Sequence, residues 1–313
     1  MKNLKISFRG YYTNTLLGRK LDALYKFYRW RLLPEVYYVR QKYKRIFGVY
    51  PDLKCPKSLN EKILWLKLND RTPLHTLCAD KFAVREYVRD TIGEKYLIPL
   101  LYTTHDPRDI VPENIPNEPS VIKTNHDSSG VIFVRDKKEV DWKEIQKKLN
   151  RRIKSNYYWR SKEWQYKNII PRILVEKLLE DENKNNPFDY KFHCFNGTLR
   201  MIQVDMNRGT SSHRRNWYSP KWKREPYKWT SPLGNNNFTD PSKEDIEPPK
   251  NFDQMVALSQ NLAKPFKYVR VDWYNLNGRL YFGELTFHHD GGYRPIEPYE
   301  WDLKLGAELN LGL

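Results

Sequence analysis

The sequence predicts an α+β fold, because signals for β-hairpins and for helices both recur along its 313 residues. Asn196-Gly197 and Asn277-Gly278 each lie between two strand-like runs, and an Asn-Gly pair in that position is the strongest short-range hairpin signal. Ser58 and Glu61 match a capping box, which begins a helix. With 39 % hydrophobic residues, the chain can bury a core large enough for one to three subdomains.

The composition narrows the class of protein. The formal charge of +17 indicates an anionic partner without identifying it. The three cysteines form no CxxC pair, so we expect reduced thiols and a cytoplasmic protein. The sequence has no apolar run long enough to span a membrane and no secretion signal at its start. Zinc, hydrolase and nucleic-acid motifs are also missing from it, so we expect no nucleic-acid partner.

Residues 1–50 are the most basic part of the chain, with twelve lysine and arginine residues against two acids, a formal charge of +10. Apolar residues at helical spacing on both sides of Pro34 predict two helices. Their aromatic and basic side chains fit an anionic membrane face, on the inner side of the cell membrane for a cytoplasmic protein. The alternative is a solvated helical extension that packs on the rest of the protein.

The middle of the chain alternates between helix and strand signals. Ser120 to Arg135 reads as strand, loop and strand, and the loop is small, polar and rich in glycine and serine. Residues 207–232 are basic and rich in tryptophan and tyrosine. We predict helices over 80–93, 141–154 and 252–264 and strands over 96–101 and 169–179. His288 and His289 are predicted to be a solvent-facing pair; because they come just after Glu284, the alternative is a role for either near the reacting groups.

The hairpin around Asn277-Gly278 carries two acids, Asp272 and Glu284, inside strands that we expect to be largely buried. Buried carboxylates need a cation or hydrogen bonds, and oxygen ligands from adjacent strands suit Mg²⁺. A two-residue turn would pair Asp272 with Gly283 and put Glu284 on the opposite face, whereas a three-residue loop with a bulge at Gly278 would bring the acids together. The alternative is that Asp272 forms an ion pair with Arg270 or Lys267.

The segment VRVDWYNLNGRLYFGELTF, with WDLKLG at 301–306, resembles the TupA-like ATP-grasp family of polysaccharide and teichuronopeptide biosynthesis. The resemblance extends from about Ser58 to the C-terminus. It implies an ATP-grasp fold, in which two α+β subdomains enclose ATP. We therefore expect a basic helical extension (1–57), an N-terminal region (58–118), a lid subdomain (119–170) and a C-terminal subdomain with the metal site (171–313).

The same resemblance assigns roles to individual residues. Mg²⁺ would be held by Asp272, Glu284 and Thr286, although many members have asparagine at the last position and a threonine hydroxyl is a weaker ligand. The catalytic cations would be Arg270, Arg214 and Arg215, and the last two would bind a carboxylate or a phosphate in bidentate fashion. The phosphates of ATP would contact Lys81, expected in the first turn of its helix, and also Lys123, Lys191 and the loop residues Ser128, Ser129 and Gly130. The backbone of Glu176, Lys177 and Leu178 would bind adenine. Asp189 would bind the ribose. The glycine pair Gly291-Gly292 could let an anionic ligand approach the backbone.

The resemblance implies an ATP-dependent carboxylate–amine ligase that forms an amide through an acyl phosphate. The carboxylate would be a uronic acid in a polysaccharide or in its nucleotide- or lipid-linked precursor. The amine would be an amino acid or an amino alcohol. One alternative is a glycosyltransferase of the same biosynthetic setting, although no DxD motif occurs in the chain. A second alternative is a basic protein that binds a membrane surface or nucleic acid by charge alone.

Overall fold

The computed structural model of the protein describes five stretches of the chain, residues 15–128, 130–180, 188–208, 210–234 and 237–313. The chain forms two compact units, Met1–Pro51 and Asp52–Leu313. Both large sheets belong to the second unit. The predicted N-terminal extension thus ends near residue 51 rather than 57. None of the described helices is long and apolar enough to cross a membrane.

The first unit contains two helices, as the sequence predicts. Helix α1 spans Leu16–Phe27, starts at the side-chain cap of Thr15 and continues as a π-helical turn. Pro34 separates it from α2, Glu35–Phe47, which ends at Gly48 in the left-handed conformation. Six apolar side chains on one side of α1 and its π-helical turn stay exposed: Leu17, Leu21, Leu24, Tyr25, Tyr28 and Leu32.

A four-stranded antiparallel sheet lies in the first half of the second unit. Its strands are β1 (Leu100–Thr104), β2 (Ser120–Thr124), β3 (Ile132–Val134) and β4 (Ile173–Lys177), in the order β1-β4-β2-β3. Helix α6, Trp142–Ile153, buries Ile145 and Leu149 in the core formed with this sheet. Asp141 caps α6 by accepting a hydrogen bond from the Glu144 backbone.

This sheet crosses the domain boundaries expected from the sequence. Strand β1 comes from the region expected to precede the lid, and β4 comes from the region expected to follow it. The strand ends also differ from the predicted ones. A 3₁₀ turn occupies Glu94–Tyr96, and β1 and β4 begin only after Pro99 and Pro171. Proline has no N–H to donate to a ladder, which explains the late start of both strands.

The second sheet has five antiparallel strands in the order β12-β11-β5-β6-β7. Both predicted Asn-Gly hairpins are present, with type I′-like positive φ angles at each Asn and Gly. Helix α8 buries Met255 and Leu262 in the core beneath this sheet. The elements are β5 (Asp189–Phe195), β6 (Thr198–Met206), β7 (Arg214–Tyr218), α8 (Phe252–Ala263), β11 (Tyr268–Leu276) and β12 (Arg279–Thr286).

The hairpin of β11 and β12 contains a bulge, but not at the turn. Leu276 pairs with Arg279, so the turn has two residues. Trp273 then pairs with Phe282 and Val271 with Leu285, so that Asp272 lies opposite both Gly283 and Glu284. The three-residue loop with a bulge at Gly278 does not form, but a bulge does bring the acids together, and its extra residue sits in the strand. A β-carbon at Gly283 would lie 3.1 Å from the Asp272 carbonyl oxygen, which favours glycine there.

The ends of the second unit pack on each other. Helix α3, Leu59–Asn69, begins at the predicted capping box of Ser58 and Glu61. The backbone and side-chain N–H groups of Asn60 donate to the Asp302 carboxylate at 3.0 and 2.9 Å, which joins α3 to α9, Tyr299–Glu308. Gly306 allows this contact, since a β-carbon there would meet the Lys57 carbonyl oxygen.

Shorter elements complete the unit. Helix α5 begins at Val84 rather than Asp80, because the Asp80 carboxylate accepts from the Phe82 and Ala83 backbones and holds a turn before the helix. The remaining helices are α4 (Pro73–Ala79), α5 (Val84–Ile92) and α7 (Tyr157–Ser161). The remaining strands are β8 (Lys228–Trp229), β9 (Pro232–Gly234), β10 (Asn237–Phe238) and β13 (Ile296–Glu297).

Candidate functional site

Arg270 joins the two acids predicted to bind a metal. Its Nη2 donates to Asp272 Oδ2 at 2.6 Å and to Glu284 Oε1 at 3.0 Å, while its Nε donates to Asp272 Oδ1 at 2.6 Å. Strand alternation explains this geometry, because Val269, Val271 and Trp273 enter the core and Arg270 and Asp272 take the other face. The bulge adds Glu284 to that face. The Thr286 hydroxyl donates to the same Glu284 oxygen at 3.2 Å.

Lys191 lies beneath this group, among three aspartates. Its Nζ is 2.9 Å from Asp272 Oδ2 and 4.0 Å from Asp205 Oδ2, and it also pairs with Asp189. Arg208 pairs through Nη1 with the same oxygen of Asp189, Oδ2. The predicted ribose and phosphate contacts, Asp189 and Lys191, are thus brought together next to the metal-site acids. In this structure each of the two is engaged by protein charges.

The pKa values of Asp272 and Glu284 are shifted in opposite directions. Burial raises the pKa of Asp272, against the lowering effect of Arg270 and Lys191. Burial also raises the pKa of Glu284, but the charges of Arg270 and Lys81 outweigh it and lower the pKa to about 2. The Glu284 side chain is 41 % exposed, so solvent screens part of this effect. Glu284 therefore stays ionised at neutral pH, ready to bind a cation.

A loop between β2 and β3 brings further cations toward the same region. Lys81 donates from Nζ to the Asp127 carbonyl oxygen, and the Asp127 carboxylate accepts from Thr124 Oγ1 at 2.7 Å and Arg152 Nη2 at 2.6 Å. Lys81 lies in the turn before α5, not in the first turn of that helix. Burial lowers its pKa, and the charge of Glu284 is the largest influence that opposes this shift. Lys81 is thus electrostatically coupled to the metal-site acid.

The predicted phosphate loop follows directly. Ser128 and Gly130 are exposed, and Ser129 lies outside the described residues. Gly130 has φ +81, and the Arg152 guanidinium occupies the space of its missing side chain. A larger residue at position 130 would displace that guanidinium from the loop.

A cleft connects the two sheets. Its described lining includes Lys81, Arg85, Lys123 and Glu176 on one side and Phe282 and Gly283 of β12 on the other. Lys123 and Arg85 both reach the Glu176 carboxylate, at 2.5 and 3.8 Å. The structure thus brings three predicted nucleotide contacts, Lys81, Lys123 and Glu176, to one place beside Gly283, the residue before Glu284.

The predicted adenine-binding backbone forms contacts within the protein. The Lys177 N–H donates to the Pro99 carbonyl at 3.0 Å, and the Leu178 N–H donates to the Pro119 carbonyl at 2.9 Å. These bonds tie the end of β4 to the segments that precede β1 and β2.

Arg214 and Arg215 point to opposite faces of β7, so the structure does not bring them together. Arg214 is exposed. Arg215 is buried, donates from Nε to Asp205 Oδ1 at 2.8 Å and from Nη1 to Ser231 Oγ at 2.9 Å. Arg215 therefore acts as a counter-ion for Asp205. A shared carboxylate-binding pair is not what this geometry offers.

The loop after β12 differs from expectation. His288 and His289 are buried, not solvent-facing. His289 Nδ1 accepts from Arg270 Nη1 at 2.8 Å, because a guanidinium group can only donate. Lys67 Nζ donates to the Gly291 carbonyl at 2.5 Å, and a β-carbon at Gly292 would lie 3.0 Å from the backbone of α3. The glycine pair thus allows close packing on α3, not the approach of an anion.

The residues present fit a magnesium ion in their chemistry. Asp272 and Glu284 supply hard oxygen ligands from adjacent strands. Oδ1 of Asp189 is buried and has no hydrogen-bond partner among the described residues, as expected of an oxygen that serves a ligand. Across the described residues, no group of three or more histidine, cysteine or acidic side chains is arranged to hold a metal. Such a site would therefore need oxygens from the nucleotide as well.

Several residues of this site were missed from the sequence. Asp205 and Arg208 contact the predicted site residues Arg215 and Asp189, and Asp127 orients the loop that holds Lys81. Asp205 had a signal in the sequence, since it is the single acid of the strand-like run TLRMIQVD. Arg208 had none, because its position depends on how the chain leaves β6.

The family model described as TupA-like ATPgrasp matches residues 61–310. A comparison with curated proteins gives no match. Among solved structures, a D-alanine–D-alanine ligase from Bacillus anthracis in complex with ATP is 17 % identical, with a TM-score of 0.40 and coverage of 74 % of this chain and 66 % of that chain. An L-amino acid ligase from Bacillus licheniformis is 13 % identical, with a TM-score of 0.42 and coverage of 81 % of this chain and 54 % of that chain. A D-alanine–D-alanine ligase from Helicobacter pylori is 12 % identical, with a TM-score of 0.38 and coverage of 76 % of this chain and 60 % of that chain.

This chain therefore covers less than two thirds of these solved chains.

Proposed function

Because the chain belongs to the TupA-like ATP-grasp family, we propose that it is an ATP-dependent ligase that joins a carboxylate to an amine. The α+β fold and the ATP-grasp family expected from the sequence are both confirmed. ATP and Mg²⁺ are the cofactors that this family membership implies. The substrates and the reaction are our proposal.

The observation that carries the proposal is the meeting of two sets of charged residues. Lys81, Lys123 and Glu176 line the same cleft as Gly283, and the next residue, Glu284, shares Arg270 with Asp272. Cations suited to phosphate thus lie beside acids suited to a metal. A phosphoryl transfer site needs both, because the charge on the transferred group must be neutralised from several sides.

The residues support a two-step reaction. An oxygen of the acceptor carboxylate attacks the γ-phosphorus of ATP, the bond to the β-γ bridging oxygen breaks, and ADP leaves. The amine nitrogen then attacks the acyl carbon, inorganic phosphate leaves, and the amine proton passes to solvent. When bound by Asp272 and Glu284, Mg²⁺ would polarise the γ-phosphoryl group. Lys81, Lys123 and Arg270 would stabilise the charge that moves between the oxygens.

The acceptor in this proposal is a uronic acid of a polysaccharide or of its precursor, and the amine is an amino acid or amino alcohol. The family resemblance supports the acceptor class. The formal charge of +17 supports an acidic acceptor as well.

We also propose that the first unit binds an anionic membrane surface, where a lipid-linked acceptor would be found. The exposed apolar side of α1 is the supporting observation: Leu17 is 57 % exposed, Leu24 is 65 % exposed and Leu32 is 62 % exposed. Arg19, Lys20 and Lys26 on the same helix complement anionic headgroups. The protein would then work at the inner face of the membrane.

A nucleotide-release screen tests the enzymatic proposal. The full-length protein with Mg·ATP is supplied with glucuronic or galacturonic acid and a panel of amino acids and amino alcohols. ADP and phosphate release that requires both an acid and an amine supports the ligase. Release of UDP from a UDP-sugar would instead favour the glycosyltransferase, and release of AMP would contradict an acyl phosphate.

A further inference from the structure

A cavity of about 520 Å³ lies beside the charged site, between the β6–β7 connection and the β9–β10 hairpin. Its described lining consists of Arg208, Thr210, Ser211, His213, Leu233, Gly234 and Asn237. The volume falls within the range of pockets that hold small-molecule ligands. It is not part of the cleft that contains Lys81 and Lys123.

Two wall residues connect this cavity to the acids of the site. Arg208 pairs with Asp189, which pairs with Lys191, and Lys191 contacts Asp272 at 2.9 Å. His213 Nε2 lies 3.2 Å from Asp205 Oδ1. A molecule in the cavity would thus lie next to the residues that contact Asp272, which faces the γ-phosphate in the proposed reaction. It would not occupy the nucleotide cleft.

The chemistry of the lining indicates the class of ligand. Thr210, Ser211 and Asn237 offer hydroxyl and amide groups that both donate and accept hydrogen bonds, as the hydroxyl groups of a sugar require. The described lining includes a cation, Arg208, and no acid. An arginine fork has five donors, and the described bond of Arg208 to Asp189 uses Nη1. The rest of the fork suits a carboxylate.

We infer that this cavity is the acceptor site and that it takes a sugar carboxylate, with Arg208 at the carboxylate and Thr210, Ser211 and Asn237 at the sugar hydroxyls. This inference rests on the proposed function and deepens it. It also moves the acceptor away from Arg214 and Arg215, which the sequence had favoured. Arg215 is engaged by Asp205, and Arg214 is exposed on the opposite face of β7.

Two sets of full-chain variants test the inference, with glucuronic acid as the probe and glucose as its neutral counterpart. Leu233→Trp fills the cavity, and Leu303→Trp on α9 is its matched control, since the two leucines are 38 % and 37 % exposed. Ser211→Glu and Ser211→Arg place opposite charges on one exposed position of the wall. Binding of each sugar is measured by calorimetry in the presence of Mg·ADP.

We expect the parent to bind glucuronic acid at least tenfold more tightly than glucose. Leu233→Trp should weaken that binding at least tenfold, while Leu303→Trp should leave it unchanged. Ser211→Glu should weaken binding more than fivefold relative to Ser211→Arg. Thermal unfolding of every variant shows whether the fold is intact, and the Ser211 pair, on the surface, remains informative if Leu233→Trp is unstable.

Failure of this inference differs from failure of the proposed function. Parent protein that binds Mg·ATP but not glucuronic acid would overturn the sugar-carboxylate assignment and leave the ligase proposal standing. Equal binding by Leu233→Trp and the parent, or by the two Ser211 variants, would place the acceptor elsewhere. Parent protein that binds no ATP would contradict the proposed function itself.

Discussion

Lys123 reaches diagonally from β2 to Glu176 on β4, and their Nζ and Oε2 atoms are 2.5 Å apart. Both side chains are largely buried, with exposed fractions of 15 % and 7 %. The ion pair therefore holds the amino group at a fixed place in the cleft. A lysine fixed in this way loses little further freedom when a phosphate binds.

The first prediction concerns this lysine. Lys123→Ala should weaken Mg·ATP binding at least tenfold, because a hydrogen bond to a charged group contributes about 1.5–3 kcal/mol. Calorimetric titration with Mg·ATP measures the effect. Lys143→Ala, at an exposed position in α6, is the control. Equal affinity of Lys123→Ala and the parent would remove Lys123 from the nucleotide site.

The second prediction concerns the metal-site acids. Asp272→Asn should lower turnover about a hundredfold or more, since a bound Mg²⁺ contributes several kcal/mol to phosphoryl transfer. Nucleotide binding should largely persist, because Lys81 and Lys123 remain. Asp253→Asn, at an exposed position in α8, is the control. Unchanged turnover of Asp272→Asn at saturating Mg²⁺ would refute the role of Asp272, provided circular dichroism shows the same fold in both proteins.

The third prediction concerns the exposed side of α1. The full chain should bind vesicles that contain anionic lipid and should release them as salt is raised, because salt screens the attraction. Leu24→Glu should weaken this binding about tenfold or more, as expected when one buried leucine is lost. Leu303→Glu on α9 provides the comparison. A vesicle sedimentation assay measures the binding. Binding that changes neither with salt nor with Leu24→Glu would contradict the proposed role of this surface.

The fourth prediction concerns acid stability. Burial lowers the pKa of His75 from 6.5 to about 4. Between these pH values the unfolded chain binds more protons at this histidine than the folded protein does. The stabilisation is thus complete above pH 6.5 and is lost as the pH falls toward 4, by an amount on the order of 3 kcal/mol.

Urea unfolding at several pH values between 4 and 7 measures this loss. His75→Gln keeps a side chain that can bond to the Thr72 hydroxyl, whose oxygen lies 2.9 Å from His75 Nδ1, but it cannot titrate. The variant should therefore lose less stability than the parent on acidification. A substitution of the exposed His105 should change nothing, and parallel curves for the parent and His75→Gln would contradict the assignment.

Patterns that depend on neighbouring residues predicted the fold well. Ser58 and Glu61 form their capping box, and both Asn-Gly turns occur where expected, because turn and cap chemistry is local. The alternation of β11 correctly placed Arg270 and Asp272 on one face. The position of the bulge was not predictable in this way, because it depends on how β11 pairs with β12.

The parts of the site that the sequence did not predict come from pairings across strands. The sequence predicts that Arg215 binds a ligand, whereas in the structure Arg215 donates to Asp205 on the neighbouring strand. His289 looks exposed until the fold places it against Arg270, Trp217 and Trp229. Charges that neutralise each other over long sequence separations leave no periodic signal in the chain.

The bulge opposite Asp272 has a practical consequence for engineering. The residue that aligns the two carboxylates sits inside β12, and β11 is fixed independently by its pairing with β5 from Tyr268 to Tyr274. The tip at Asn277-Gly278 therefore does not set the distance between the acids. A fluorophore attachment site or a short epitope inserted at that tip should therefore leave the site intact, so that the protein can be labelled without a change in its activity.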